Sequence, residues 1–305
     1  MKRRVIRICA VAAAAVFAVN AGAVVAVALS IPHEASLWPS RSYSFWPERS
    51  WKAVEGRINA LAPSPRLSRE VIGAARYRQG SLPVYRIRFA PVRLPAAKVL
   101  LVSGIHGSET AGVEALLQMA EELSRRPESF SDVDVTLVPV ANPWAWVYGY
   151  RYDGIGEDVN RDFASDRTQE AAILRSFIDR SGPYDLFMDL HESKKTGYFL
   201  YQYVPAQAGL GEEYGKLLES LGKRRENAYR EGPFQARSGV LTMPAAVLPW
   251  IAMAHRLSLE QYARLRGTRH SYTVETPVWD QMASRVEVQK RAAALFIKAL
   301  ERQGR

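Results

Sequence analysis

The stretch "AKVLLVSGIHGSETAG" at residues 97–112 is the most informative part of this chain. Its apolar first half, which includes Val99 and Val102, predicts a buried strand, and the glycines that follow predict a loop at the end of that strand. His106 and Glu109 lie in this loop, three positions apart. A loop at a strand end can present both side chains to the same space, which indicates a site.

Strand and helix patterns alternate from this stretch onwards. A helix is predicted over residues 111–126, a strand over 132–143, a second helix over 167–182 and a further strand over 184–193. Such βαβα order predicts an α/β fold with a mixed, mostly parallel sheet and helices on both faces. An N-terminal apolar helix precedes this fold in our interpretation.

The regions on either side of this alternation also have readable patterns. Residues 51–62 have helical spacing, and residues 71–89 predict two strands around a turn at Gln79 and Gly80. Near the other end, residues 270–280 alternate as a strand and residues 284–303 predict one long helix. No internal repeat is evident.

Composition limits the class of protein. With 305 residues and 48% apolar content, the chain can bury a sizeable core. The single cysteine, Cys9, excludes an internal disulfide and a thiolate zinc site in the rest of the chain. The net charge of +10 is spread along the sequence without a basic stripe interleaved with aromatic residues, so we expect no nucleic-acid partner.

The first 30 residues resemble an export segment. An uncharged stretch from Ile8 to Leu29 follows four basic residues, Lys2, Arg3, Arg4 and Arg7. This length favours a membrane-spanning signal anchor over a cleaved signal peptide, although "NAGA" at residues 20–23 offers a cleavage site. We therefore predict a signal peptide or anchor at 1–30, a linker at 31–50 and a catalytic domain at 51–305, located in the periplasm or outside the cell.

Three potential metal ligands lie where parallel strands end. His106 and Glu109 follow the strand that begins at residue 97, and His191 lies near the end of the strand at 184–193. Ligands of open α/β sheets bind at the carboxyl ends of strands. Two imidazoles and one carboxylate leave a fourth zinc position for water, so this set predicts one catalytic Zn²⁺ per chain.

Four ordered motifs resemble the carboxypeptidase A-like zinc metallocarboxypeptidases, whose superfamily includes succinylglutamate desuccinylase and aspartoacylase. The motifs are "HGSE" (106–109), "DVNRDF" (158–163), "DLHES" (189–193) and "VETP" (274–277). The resemblance implies that His106, Glu109 and His191 bind zinc. It also implies that Asn160 and Arg161 hold the terminal carboxylate of the substrate, and that Glu275 is the general base.

The same resemblance gives roles to two further residues. Asp158 would hydrogen-bond the first histidine ligand and fix its tautomer, although an aspartate in a loop can equally form an Asx turn. Arg151 would polarise the scissile carbonyl and stabilise the oxyanion, although a solvated loop arginine is an equally good interpretation. Residues 232–244 lack the tyrosine usual before the base, and their glycine, proline and serine content favours a mobile lid.

The expected function is that of an exported zinc metallocarboxypeptidase, which hydrolyses the C-terminal amide bond of a peptide, with a cell-wall peptide as one option. The first alternative is a deacylase of N-acyl amino acids, but the single helix after Glu275 favours the peptidase branch. The second alternative is a non-catalytic, zinc-containing peptide-binding module. Peptidase and deacylase both remain open, as do the preferred side chain and the oligomeric state.

Overall fold

The computed structural model describes residues 49–93, 97–126, 128–165, 167–204 and 210–303. The predicted export segment and residues 31–48 of the predicted linker lie outside these ranges, so both remain predictions. Within the described ranges, no helix combines the length and apolar character needed to cross a bilayer.

An eight-stranded sheet forms the centre of the fold, and a short hairpin lies outside it. The strands are β1 Leu67–Tyr77, β2 Gly80–Phe89, β3 Ala97–Ser103, β4 Val133–Val138, β5 Leu186–Ser193, β6 Phe199–Val204, β7 Arg230–Glu231, β8 Phe234–Gln235, β9 Val240–Pro244 and β10 His270–Pro277. Their order in the sheet is β1-β2-β4-β3-β5-β10-β6-β9, and β7 pairs only with β8.

Parallel pairs occupy the middle of this sheet. β4, β3, β5 and β10 are successive parallel neighbours, and β6 and β9 form a further parallel pair. The β1–β2, β2–β4 and β6–β10 pairs are antiparallel. The predicted mixed, mostly parallel α/β sheet is therefore confirmed.

Helices cover both faces of the sheet, as predicted. They are α1 Trp51–Asn59, α2 Thr110–Arg125, α3 Pro143–Tyr148, α4 Gln169–Ser181, α5 Leu210–Ser220, α6 Leu248–Met253, α7 Leu259–Leu265 and α8 Met282–Gln303. One buried apolar cluster includes residues of α2 and α8, and the other includes residues of α4 and α7. Several helices begin at a side-chain cap; Thr168 caps α4 and Ser258 caps α7.

The stretch at 232–244, predicted to be a mobile lid, instead contributes to regular structure. Val240–Pro244 is the edge strand β9, which pairs with β6, and Phe234–Gln235 belongs to the hairpin. Leu241 and Met243 are buried, so alternate residues of β9 face the core. The lid prediction was therefore wrong for residues 240–244, because it relied on composition and ignored this alternation.

Candidate functional site

The three predicted ligands converge at the carboxyl edge of the parallel strands. His106 and Glu109 lie in the loop between β3 and α2, and His191 lies in the neighbouring strand β5. One ligand atom from each residue lies within 4.8 Å of the others, and all three residues are buried. His106 Nδ1 lies 2.7 Å from Glu109 Oε1, and His191 Nδ1 lies 2.8 Å from Glu109 Oε2. The two imidazoles thus direct the same type of nitrogen towards one carboxylate.

Two glycines allow the β3–α2 loop to take this course. Gly104 adopts a positive φ of 65°, which is the left-handed region that favours glycine. At Gly107, a Cβ atom would lie 1.9 Å from the backbone of Ala145. The loop therefore lies directly against α3, and this close contact sets the positions of His106 and Glu109.

Each imidazole also contacts a separate carboxylate through its other nitrogen. His106 Nε2 lies 3.1 Å from Asp158 Oδ1, and His191 Nε2 lies 2.9 Å from Asp189 Oδ2. Carboxylates in this position orient a metal-binding imidazole and raise its basicity. The donor set of two imidazoles and Glu109, with both outer nitrogens facing carboxylates, therefore fits a Zn²⁺ ion.

Of the two outer carboxylates, the sequence predicted only Asp158. In the structure Asp158 both contacts the imidazole of His106 and forms the local turn, because Oδ1 also accepts a hydrogen bond of 3.0 Å from the backbone N–H of Asn160. Asp189 was missed. The spacing of Asp189 and His191 in β5 could have predicted this contact, since residues two apart in a strand point to the same face.

The ionisable groups of the cluster shift one another's pKa. Burial alone would raise the pKa of Glu109, but the imidazoles of His106 and His191 hold this pKa well below its usual range. The pKa of Asp158 is likewise lowered, against burial, by Arg151 and His106. Burial alone would lower the pKa of His191, but Asp189 and Glu109 raise this pKa well above its usual value.

Glu275 lies beside His191 in the sheet. The two residues are register partners in the parallel pair of β10 and β5. Burial raises the pKa of Glu275 to about 8, with the nearby charge of Glu109 acting in the same direction. Glu275 Oε2 is buried and has no hydrogen-bond partner among the described residues. The structure thus brings the predicted base next to the predicted ligands.

Arg151 reaches the three predicted ligands, His106, Glu109 and His191, which together are called the metal cluster below. Its Nε and Nη2 donate to Asp158 Oδ2 at 3.2 and 3.0 Å, and its Nη1 lies 3.5 Å from Glu109 Oε1. The guanidinium is thus held beside the predicted ligands by Asp158.

Asn160, which together with Arg161 is predicted to hold the terminal carboxylate of the substrate, also has a structural role. Asn160 Oδ1 accepts a hydrogen bond of 2.9 Å from the backbone N–H of Leu259, at the start of α7. Asn160 Nδ2 lies 3.3 Å from His191 Nε2, and Arg161 Nη1 donates to the backbone oxygen of Asn160 at 2.8 Å. The amide of Asn160 therefore links α7 to the metal cluster, while Arg161 lies beside it.

Two tyrosines near the base were not predicted. Tyr201 and Tyr229 donate to Glu231 Oε2 at 3.0 and 2.7 Å. Burial raises the pKa of both, and the charges of Glu231 and Glu275 act in the same direction. The sequence had instead drawn attention to Tyr262 and Tyr272, which lie beyond residues 232–244. The pairing of β6 with β10 brings Tyr201 to this place, because Tyr201 lies opposite Thr273, two residues before Glu275.

Comparisons of the sequence with known proteins identify one family model. Residues 95–214 match the succinylglutamate desuccinylase/aspartoacylase catalytic domain. The succinylglutamate desuccinylase of Shewanella sp. strain W3-18-1 is 26% identical over 147 residues, which are 42% of each chain. The chain thus spans under half the length of the curated relatives that it matches. The residues that the family model matches, 95–214, include the three predicted ligands, Arg151, Asn160 and Arg161. They end before Glu275.

Comparisons of the fold extend over more of the chain. A protein of known structure from Shewanella denitrificans has a TM-score of 0.68 at 19% identity, covering 86% of this chain and 98% of that one. The metallo-carboxypeptidase of Pseudomonas aeruginosa has a TM-score of 0.63 at 16% identity, covering 86% of this chain and 73% of that one. A metallo-carboxypeptidase from Burkholderia cenocepacia has a TM-score of 0.62 at 17% identity, with coverages of 83% and 70%.

These findings confirm the resemblance predicted from the four motifs. The family model lies on the desuccinylase and aspartoacylase side, and the folds compared include metallocarboxypeptidases. Both sides of the superfamily are therefore represented among the similar proteins. The comparisons do not separate a peptidase from a deacylase.

Proposed function

We propose that this chain is a zinc-dependent hydrolase that removes the C-terminal residue of a peptide bearing a free carboxylate. The observation that carries the proposal is the convergence of His106, Glu109 and His191 beside Glu275 and Arg151 at one edge of the sheet. Zinc bound by the three ligands would lower the pKa of a water molecule and polarise the scissile carbonyl.

The residues around the ligands have complementary roles in this proposal. Glu275 takes the proton of the attacking water and returns it to the leaving nitrogen, which is general acid and base chemistry. A carboxyl whose pKa lies near neutral suits this exchange, and burial raises the pKa of Glu275 in that direction. Arg151 stabilises negative charge on the carbonyl oxygen, because its guanidinium is already held at the cluster by Asp158.

Arg161 is the proposed anchor for the terminal carboxylate. It lies next to Asn160, whose amide contacts both α7 and His191, so a carboxylate bound here would lie within reach of the metal cluster. Guanidinium groups bind carboxylates through two parallel hydrogen bonds. Holding the carboxylate at Arg161 would place the last amide bond, and no internal one, at the metal.

A deacylase of N-acyl amino acids is the second candidate. The family model favours it, since that model matches residues 95–214, which carry the ligands and Arg161. The similarity to succinylglutamate desuccinylases over 147 residues also favours it. A free carboxylate on the amino acid product would use the same arginine, so the two functions differ in the group on the other side of the cleaved bond. A non-catalytic binding module is disfavoured, because Glu275 and Arg151 accompany the ligands.

The deciding experiment compares three kinds of substrate with the zinc-loaded protein. One peptide is assayed with a free and with an amidated C-terminus, and a panel of N-acyl amino acids is assayed in parallel. We expect cleavage of the free-carboxylate peptide and poor cleavage of the amidated form. Equal cleavage of both peptide forms would reject the exopeptidase proposal, and cleavage of acyl amino acids alone would establish the deacylase.

Arg161→Ala tests the anchor in the same assay. Loss of a charge-assisted hydrogen bond costs roughly 1.5 to 3 kcal/mol, so kcat/KM should fall at least about tenfold for the free-carboxylate peptide. The amidated peptide should show a much smaller change. Arg125→Ala is the matched control, because the side chain of Arg125 is 67% exposed at the end of α2. An equal effect of the two substitutions would remove Arg161 from the site.

Export remains part of the proposal and rests on the sequence of residues 1–30 alone. Basic residues followed by an uncharged segment favour insertion with the catalytic domain outside the cytoplasm. N-terminal sequencing of the protein isolated from cells would distinguish a cleaved signal peptide from an uncleaved anchor.

A further inference from the structure

Arg49 reaches into the loop that carries two of the predicted metal ligands. Its Nη1 donates to the backbone oxygen of Gly107 at 2.5 Å and to that of Trp146 at 3.1 Å. The guanidinium lies 4.6 Å from the centre of the Trp146 ring, and the backbone N–H of Arg49 donates to Val147 at 2.8 Å. Arg49 therefore connects the loop to α3.

The position of Gly107 makes this contact significant. Gly107 lies between His106 and Glu109, and its backbone already lies against Ala145 with no room for a side chain. On either side of it, the Asn142 amide donates to the oxygen of Ile105 at 3.4 Å, and the N–H of Ser108 donates to Tyr150 at 2.9 Å. With the contact from Arg49, the backbone groups of Ile105, Gly107 and Ser108 are all hydrogen-bonded.

Arg49 lies outside the segment that forms this loop and α3. It precedes α1, at the end of the segment that the sequence predicts to be a linker, and Ser50 next to it caps α1. Glycine offers no side chain to stabilise the loop, so its carbonyl group is the available attachment. A hydrogen bond from a charged donor is stronger than one from a neutral donor, which suits this attachment.

We propose that Arg49 is a positioning residue for the metal site: it fixes the carbonyl of Gly107 and thereby the relative positions of His106 and Glu109. The ion's affinity then depends on a residue at the predicted linker boundary, distant in sequence from every ligand. This inference rests on the proposed metal site and is independent of which bond the protein hydrolyses. Removing a residue that orients metal ligands typically weakens binding about 10- to 100-fold.

The test uses the full chain with Arg49→Gln, Arg49→Lys and a matched control, Arg66→Gln. Arg66 also donates to backbone oxygens, those of Ala90 at 2.5 Å and Phe130 at 3.0 Å. None of these contacts involves the loop at residues 105–109. Zinc affinity is measured by competition with a chelator. Amide hydrogen exchange is measured on the metal-free protein, and the visible spectrum is recorded with Co²⁺ in place of zinc.

We expect Arg49→Gln to weaken zinc binding about 10- to 100-fold, to speed exchange at residues 105–109 and to alter the Co²⁺ spectrum. Arg49→Lys retains a charged donor and should restore part of the affinity. Arg66→Gln should speed exchange near Ala90 and leave zinc affinity unchanged. Equal zinc affinities for Arg49→Gln and Arg66→Gln, or unchanged exchange at 105–109, would overturn the proposal.

The outcomes also separate this inference from the proposed function. A parent protein that binds zinc but hydrolyses nothing refutes the hydrolase, while the affinity and exchange measurements still test Arg49. If Arg49→Gln does not fold, Arg49→Met provides the decision, because methionine has a long side chain but no donor: a folded methionine variant with parental affinity and parental exchange would overturn the proposal.

Discussion

The metal cluster and a second buried cluster, formed by Tyr77, Asp153 and Glu170, both enclose carboxylates, but they differ in charge. In the metal cluster, two imidazoles hold the pKa of Glu109 below its usual range. In the second cluster, burial raises the pKa of Asp153 to about 6 and that of Glu170 to about 7. Carboxylates that are buried with cationic groups stay ionised, whereas carboxylates that are buried without them retain protons.

The hydrogen bonds of the second cluster explain its role. Tyr77 donates to Glu170 Oε2 at 2.7 Å, and Asp153 Oδ1 accepts from the backbone N–H groups of Ile155 and Glu157 at 3.0 and 2.8 Å. These contacts shape the loop between Arg151 and Asp158. The comparison teaches that burial of acids does not identify a metal site; the arrangement of imidazoles around them does.

The largest expected effect concerns the base. Glu275→Gln should lower turnover by roughly 10² to 10⁴, because the amide cannot accept the proton of water. Zinc content should stay near one ion per chain, since Glu275 is not among the three ligands. Steady-state kinetics and elemental analysis of the same preparation would check both parts.

Glu170→Gln is the corresponding substitution in the second cluster and serves as the control. It removes another buried carboxyl and should leave turnover unchanged. Turnover of Glu275→Gln at the level of the parent would exclude Glu275 as the base, whatever its pKa.

A smaller effect is expected from Asp189, which the sequence did not predict. Asp189→Asn should weaken zinc binding about 10- to 100-fold, because the amide is a poorer partner for the Nε2 nitrogen of His191. The equivalent change in the second cluster, Asp153→Asn, should leave the affinity unchanged. Zinc competition with a chelator measures both, and equal affinities for the two variants would contradict the proposed contact.

The smallest effect is a change in stability with pH. The pKa of Glu170 is higher in the folded chain than the ordinary value, so the folded state binds more protons between about pH 4.5 and 7. Stability should therefore fall as pH rises through this window and level off above it. Glu170→Gln should lack this contribution, which amounts to at most about 3 kcal/mol.

Urea unfolding of the parent and of Glu170→Gln at pH 5 and pH 8 checks this prediction. The variant should lose less stability than the parent between the two values. Parallel losses in both proteins would show that Glu170 titrates with its ordinary pKa in the folded chain.

The sequence predicted the elements and residues whose signals are local. Periodicity predicted the strands β3 and β5, and the strand ends placed His106 and His191 together, because carboxyl ends of parallel strands meet at one edge. The contact between Asn160 and Leu259 was not predicted, since it joins residues 99 positions apart. The position of β10 between β5 and β6 was also beyond local patterns, because pairing of distant strands is set by the whole fold.

That central position of β10 has a consequence for how the molecule is made. All three predicted ligands lie in the chain by His191, whereas Glu275 follows only with β10, which must enter the sheet between β5 and β6. In the order of synthesis, the third predicted ligand therefore precedes the predicted base by 84 residues. A chain that ended before β10 would carry the three predicted ligands without the predicted base.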